Sequence, residues 1–367
     1  MNLVIFKNVT KFVVLNMKKR NKLKLMKSVF DNIILKRATP YIFIFEPSQL
    51  CNCKCIFCYH WKEHSENELK KEEIFDTLEQ VYKLGCGLLV LNGGEPFIAP
   101  HFEDTVKKAY EIGYDINLTT NGSVLSNRIH KVAKYIDSIT VSLDYPDVRH
   151  DKDRKLPGLF NKAIEGIKET KKYISDVKIN YSIHKDNMDC IRQMVDLVKD
   201  LGCSIYFRLL IREAKAGADV ADYNLVIDNK EDLKRITEEL IQLKKEGAPI
   251  ISSDSYLSYI KDKIPFRCLI SRFILNIDSH GRVYSACPEY EGTKENVFGS
   301  IRQEKIRSIW FGKKAKSFRG FSVRCKPSLN CYSACILEPS LVLRPSIRMW
   351  VDQLSSEFSI AKFFKGK

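Results

Sequence analysis

The chain has 367 residues, twelve cysteines and a formal net charge of +15. Its length exceeds what one compact core usually serves, so a main domain with a smaller companion is expected. No apolar run reaches the roughly 18 residues of a membrane span, and cysteines at metal-ligand spacing in so long a chain point to a reduced, cytosolic setting rather than a disulfide scaffold.

Residues 1–27 carry Lys7, Lys11, Lys18, Lys19, Arg20, Lys22, Lys24 and Lys27 and no acidic residue. Apolar residues such as Val4, Ile5, Phe6 and Phe12 to Leu15 interleave with them, the pattern of a basic segment lying on an anionic membrane surface. The competing expectation is that translation begins at Met17 or Met26. No recognition motif accompanies the charge, so nucleic acid is not an expected partner. Residues 1–35 form a basic N-terminal extension on this reading.

From Tyr41 to about Leu210, β-prone runs alternate with amphipathic helical stretches. The runs are Tyr41–Glu46, Leu88–Asn92, Ile116–Thr120, Ile139–Asp144, Ile179–Ile183 and Ile205–Leu210. Helices are expected near 68–84, 101–112, 125–135, 158–174 and 188–201. Strict alternation implies an α/β fold with a parallel sheet, and runs that are apolar on both faces are expected to be core. Cys86, Cys190 and Cys203 have no partner at useful spacing and read as small buried residues.

The run Cys51-Asn52-Cys53-Lys54-Cys55-Ile56-Phe57-Cys58 follows the first strand. Thiolates of Cys51, Cys55 and Cys58 can hold one corner of an iron–sulfur cluster and leave its fourth iron open, whereas electron-transfer clusters take four cysteines. A structural zinc site on Cys55 and Cys58 would need a second pair of similar spacing, and no other Cys-x2-Cys occurs. Cys53 is read as a bystander. His60 and His64 follow the loop and are expected in solvent, with a substrate-facing role as the alternative.

The three-cysteine spacing, with Phe57 before the last cysteine, resembles the signature of the radical S-adenosylmethionine (radical SAM) superfamily. That resemblance implies a partial (β/α)6 TIM-like barrel over residues 36–250 whose reactive groups gather at the C-terminal ends of its strands. Asn92-Gly93-Gly94-Glu95-Pro96 resembles the superfamily's Gly-Gly-Glu-Pro element. A carbonyl near Gly93 or Gly94, supported by Glu95, would hold the amino group of the methionine moiety. Asn121, Ser142 and Asp144 resemble positions facing the nucleoside, although Tyr145 stands where relatives often have glycine. Arg208 is a candidate for the cofactor's carboxylate, with a barrel-end ion pair as the alternative.

A charged stretch, 230–246, reads as a sixth helix, Ala248–Ser255 as a loop, and Ile274–Tyr284 as a hairpin turning at Gly281. Cys268, Cys287 and the Cys325-x5-Cys331-x3-Cys335 group surround that hairpin. They resemble the C-terminal auxiliary-cluster extension called SPASM, or its shorter twitch form, in a smaller α+β domain over 260–340. The full SPASM pattern has further cysteines that this chain lacks. The resemblance therefore implies one auxiliary 4Fe–4S cluster held by Cys268, Cys287 and Cys335, with Cys331 or Cys325 as the fourth ligand; a zinc site is the alternative. Residues 341–367 read as an amphipathic helix that docks on the core or touches a membrane.

Taken together, the resemblance implies an enzyme of oxidoreductase or maturase type that needs a reductant such as flavodoxin or ferredoxin. It would cleave S-adenosylmethionine reductively to a 5′-deoxyadenosyl radical and abstract a hydrogen atom from its substrate. The expected substrate is a peptide or cofactor precursor, undergoing oxidation or bond formation. The alternatives are lipid chains, reached from a membrane surface by the basic termini, and, outside enzymes, an iron–sulfur electron carrier.

Overall fold

A computed structural model describes residues 17–62, 66–211, 223–262, 268–287, 296–322 and 340–341. The expectations for residues 1–16, for His64, for Cys325, Cys331 and Cys335, and for the C-terminal helix fall outside these.

Six parallel strands follow one another across the sheet in sequence order: β1 (Ile42–Phe45), β2 (Leu88–Leu91), β3 (Asp115–Thr120), β4 (Ser138–Ser142), β5 (Val177–Ile183) and β6 (Ser204–Leu209). Between them run α2 (Lys71–Leu84), α3 (Phe102–Ile112), α4 (Leu125–Val132), the short α5 (Arg149–Arg154), α6 (Leu159–Thr170) and α7 (Ile191–Asp200). The alternation predicted the parallel sheet, and this is the partial barrel that the resemblance implied. Each helix turns its apolar stripe onto the sheet; in α2 that stripe is Ile74, Leu78, Val81 and Leu84, three or four residues apart.

The two faces of the sheet differ. Phe43, Leu89, Leu118, Val141, Ile179 and Ile205 are wholly buried beneath the helices. Strand residues alternate between faces, and the opposite face carries Asn117, Thr119, Ser142, Asn180, Tyr206 and Arg208. Of these Asn117, Thr119, Tyr206 and Arg208 are half-exposed. The expectation that the strands are core on both sides therefore holds for one face only. Polar residues line the other face because it borders the space enclosed by the barrel.

Helix α8 (Lys230–Lys245) follows as expected, but the loop expected up to Ser255 ends sooner. Ile250 bridges to Ile205, and α9 begins at Asp254 (Asp254–Asp262). The hairpin strands β7 (Ile274–Ile277) and β8 (Arg282–Tyr284), with β9 (Val297–Ser300), do not form a separate sheet. β7 lies parallel to β1, so one nine-stranded sheet crosses the boundary expected between the domains. The short helix α10 (Ile270–Phe273) precedes β7, and α11 (Ile306–Phe311) and α12 (Lys313–Ser322) follow β9.

The N-terminal expectation changes most. Lys19–Ile33 is a helix, α1, docked on the barrel through Asn21, Leu25, Ser28 and Asn32, each 0–1% exposed. Asn21 Nδ2 donates to Gly113 O at 3.0 Å, and the Lys18 amide to Asp115 Oδ1 at 3.1 Å. Lys24 Nζ bonds Tyr82 O at 2.7 Å and covers the Tyr82 ring. Part of the charge read as membrane-facing thus binds the protein itself, and a chain beginning at Met26 would lack half of a packed helix. Among the described residues no helix is long and apolar enough to cross a membrane.

Candidate active site

The loop after β1 carries the cysteines, and two other segments fix it from below and from the side. Glu95 N donates to Leu50 O at 2.7 Å and Gly94 N to Ser48 O at 3.0 Å, which ties the end of β2 to the residues just before Cys51. Gly94 has to be glycine for this reason: a Cβ there would lie 2.0 Å from Leu50 O. Gly93 sits at φ +103°, a region that side chains avoid. The close approach at Gly94 is thus to the chain's own backbone. Gly94→Ala should displace Cys51, lower stability by about 1–3 kcal/mol and reduce iron loading; thermal melts and iron assays of the purified variant check this.

On the other side, Lys54 N donates to Arg154 O at 3.1 Å and Ile56 N to Asp153 O at 2.9 Å. These bonds seat the loop on the end of α5. The Arg154 guanidinium then lies 5.6 Å from the centre of the Phe57 ring, and His184 flanks the same ring at 6.1 Å. Phe57 therefore neighbours both a cation and the imidazole just after β5.

Cys53 is 1% exposed, and its thiol lies between those of Cys51 and Cys55. Its hydrogen bonds lower the pKa of both flanking thiols; at Cys55 burial opposes this and Arg154 reinforces it. The same bonds, with burial, push Cys53 far up. Cys51 and Cys55 are thus the two thiols of the loop made more acidic. Cys58 is half-buried at the end of the loop, against the same small cluster. Among the described residues no three His, Cys, Asp or Glu side chains meet at metal-ligand spacing. Cys53 stands between the thiols that would converge.

Glu95 is 1% exposed. It accepts from Thr120 Oγ1 at 2.7 Å, from Asn121 N at 2.7 Å and from Phe97 N at 3.2 Å. Burial raises its pKa, against the pull of these donors. It locks the ends of β2 and β3 together. Asn121 reaches back to the cysteine loop, donating to Asn52 Oδ1 at 2.9 Å and approaching Cys53 Sγ at 3.2 Å.

Asp144, expected beside the nucleoside, lies at the end of β4 against Arg154. It is fully buried, with Oδ2 2.7 Å from Arg154 Nε and Oδ1 accepting from Ser182 N at 3.2 Å. Burial alone would raise its pKa, but Arg154 and then His150 hold it below the usual carboxylate range. His150 is pushed down to about 4, first by burial and then by Arg154. It accepts the Asp144 amide hydrogen at 3.1 Å, as a neutral ring does. Tyr145 needs no glycine-like backbone: no positive φ occurs there, and its hydroxyl donates to Asp186 O at 3.1 Å.

Ser142 ends β4 beside Asn180 of β5, and Ser182 pairs with Arg208 of β6. Asn180 Oδ1 on this face and Asn92 Oδ1 after β2 are buried acceptors with no hydrogen-bond partner. Orphaned acceptors are costly unless a ligand supplies donors, and an amino group or ribose hydroxyl would do so. The donor set fits the expected pair of cofactors: soft thiolates for iron, amide acceptors for the amino group and ribose hydroxyls of S-adenosylmethionine. His60 is half-exposed, with Nδ1 2.6 Å from Gln49 Oε1. Arg154, His184, Asn92 and Asn180 escaped notice as site residues. Arg154 sits in Asp151-Lys152-Asp153-Arg154-Lys155, which looks like a solvated charge run.

Cys86, Cys190 and Cys203 are buried, as expected. Cys268 and Cys287 are half-buried. Leu269 N donates to Ser340 Oγ at 2.9 Å, and the hydroxyls of Ser271 and Ser322 lie 2.8 Å apart. Both flanks of the segment that contains Cys325, Cys331 and Cys335 are thus anchored beside Cys268.

Residues 45–198 match the radical SAM superfamily, and residues 268–335 match SPASM, an iron–sulfur cluster-binding domain. An AdoMet-dependent heme synthase of Methanosarcina barkeri is 26% identical over 74% of this chain and 82% of its own length. A PqqA peptide cyclase of Granulibacter bethesdensis is 23% identical over 88% of this chain and 92% of its own. The structure of Streptococcus suis SuiB bound to precursor peptide SuiA superposes with a TM-score of 0.65 at 19% identity, covering 87% of this chain and 74% of that one.

Proposed function

Because this chain is a radical SAM enzyme with a C-terminal SPASM domain, we propose that it oxidises, or forms a bond within, a peptide substrate. With the cluster and S-adenosylmethionine bound, the chemistry supplied is one-electron cleavage of the sulfonium followed by hydrogen-atom abstraction from substrate carbon. Cys51, Cys55 and Cys58 hold the cluster in this reading, and Arg154 keeps their loop seated. Asn92, Asn180 and Ser142 orient the cofactor, with Gly93 and Gly94 shaping the turn and Arg208 at the rim. Cys268 and Cys287 take part in an auxiliary cluster with the later cysteines, which can accept the electron left on an oxidised substrate.

The observation that carries the peptide reading is end-to-end likeness to the PqqA peptide cyclase, spanning 88% of this chain and 92% of the relative, the auxiliary region included. A cofactor precursor is the second reading, favoured by the likeness to a heme synthase over 74% of the chain. Anaerobic incubation of reconstituted enzyme with reductant, S-adenosylmethionine and either a peptide encoded beside its gene or an iron porphyrin precursor separates the two. Loss of two hydrogens or a new cross-link in the peptide, seen by mass spectrometry, is expected. Turnover of the porphyrin alone would transfer the proposal to cofactor maturation.

Metal analysis gives a further check. Wild type should approach about eight irons per chain, four for each cubane. The Cys51/Cys55/Cys58 triple alanine variant should keep about four. Zinc without iron in that variant would make the C-terminal site a zinc domain.

A further inference from the structure

At the opposite end of the barrel from the cysteines lies a cavity of about 1210 Å³. Its walls come from α1, from residues 36–39 and Leu84–Gly85 just before β1 and β2, from Arg272 just before β7, and from α11 and α12. These are the N-terminal ends of the strands, away from where a barrel performs its chemistry. Nine of the lining side chains are basic and one, Asp31, is a carboxylate. Asp31 is already satisfied, with Thr39 Oγ1 at 2.6 Å and Lys27 Nζ at 2.5 Å.

The deepest of these cations is built in rather than solvated. Arg319 is 5% exposed, its guanidinium stacks 4.1 Å from the Trp310 ring, and its Nε donates to Ser271 O at 2.9 Å. Its Nη2 is buried and has no hydrogen-bond partner. Burial and the neighbouring Arg272 pull its pKa down to about 9. A buried guanidinium with a spare donor, facing further cations across a cavity, is a high-energy arrangement that an oxyanion relieves.

We propose that this cavity is a binding site for a phosphate-type oxyanion, with Arg319 as its buried anchor and Lys24, Lys83, Arg307 and Lys316 around it. The ligand is a phosphate group carried either by a soluble compound or by a phospholipid headgroup. The second source has a platform beside it. Leu23, Met26 and Phe30, with Ile34 at the helix's C-terminal cap, are 66%, 49%, 40% and 50% exposed, and their spacing puts them on one outer face of α1, adjoining Lys27. An apolar face edged by lysines is suited to an anionic lipid surface.

The test uses the full-length, cluster-reconstituted enzyme at about 0.15 M salt. Pyrophosphate is titrated by calorimetry, and vesicles of phosphatidylcholine with or without phosphatidylglycerol are tested by flotation. Saturable binding of at least one anionic probe is expected. Reversing the exposed Lys83, Arg307 and Lys316 to glutamate should weaken it by at least about tenfold without changing 5′-deoxyadenosine formation. The same charge change at Lys107, Lys162 and Lys168, on the barrel's outer helices, should leave it intact. Arg319→Gln should abolish it, and the surface variants keep the test sound if that protein fails to fold. Pyrophosphate binding that survives Leu23→Ser/Phe30→Ser identifies a soluble ligand. Vesicle binding lost in that variant and in the cavity triple identifies a lipid headgroup. No saturable binding of either probe, or binding that the cavity triple leaves unchanged, overturns the proposal.

Discussion

Cys55→Ala is expected to reduce 5′-deoxyadenosine formation to that of a control lacking enzyme, with the fold retained. Cys55 is one of the two thiols in its loop that Cys53 makes more acidic, and Arg154 adds to that at Cys55. The backbone of the loop is held by bonds that do not involve this side chain: Lys54 N to Arg154 O, Ile56 N to Asp153 O and Glu95 N to Leu50 O. A folded but inactive variant is therefore the expected result, read from its circular dichroism and from product chromatography. Cys53→Ala is the informative partner. Cys53 falls outside the three-cysteine spacing, so its removal should leave most of the iron and activity in place. Loss of the cluster in Cys53→Ala together with activity in Cys55→Ala would exchange their roles.

The second large effect concerns Asp144. Replacing it with alanine should destabilise the protein by about 3–5 kcal/mol, because Arg154 would be left charged and buried without its partner. Cys55 and Phe57 rest on that same guanidinium, so cluster loading should fall along with the melting temperature. The pH dependence has a definite sign. In the folded protein the Asp144 carboxyl is held below its ordinary value, which is about 3.9 in the unfolded chain. Its contribution is complete above that value and disappears as pH falls through the folded-state value. The stability difference between wild type and Asp144→Ala should thus be full near neutrality and shrink below about pH 4. Denaturant melts across that range measure it, and a difference independent of pH would mean that the ion pair contributes little.

The spacing of Cys51, Cys55 and Cys58, with Phe57 before the last, was enough for the resemblance to the superfamily, because ligand spacing along a short loop is a local property. The parallel sheet was legible for a similar reason: strand and helix periods are written into consecutive residues such as Ile116–Thr120 and the stripe of α2. Burial of Cys86, Cys190 and Cys203 also followed from composition.

What the sequence left undecided depends on distant segments meeting. Asp144 could be read as a strand-end polar residue, but not as the partner of Arg154, which stands ten residues on in a charged run and folds back onto it. Gly94 has to be glycine because Leu50, far away in the chain, lies against it. Lys18 and Lys24 looked free for a membrane until Asp115 and Tyr82 supplied partners from other elements. The hairpin of β7 and β8 reads as a local unit, and only pairing with β1 shows that it extends the barrel sheet. The cationic cavity is the extreme case. Lys24, Lys83, Arg272 and Arg319 are scattered along the chain, and like charges are brought together only because the apolar packing of the helices around them is strong enough to hold them there.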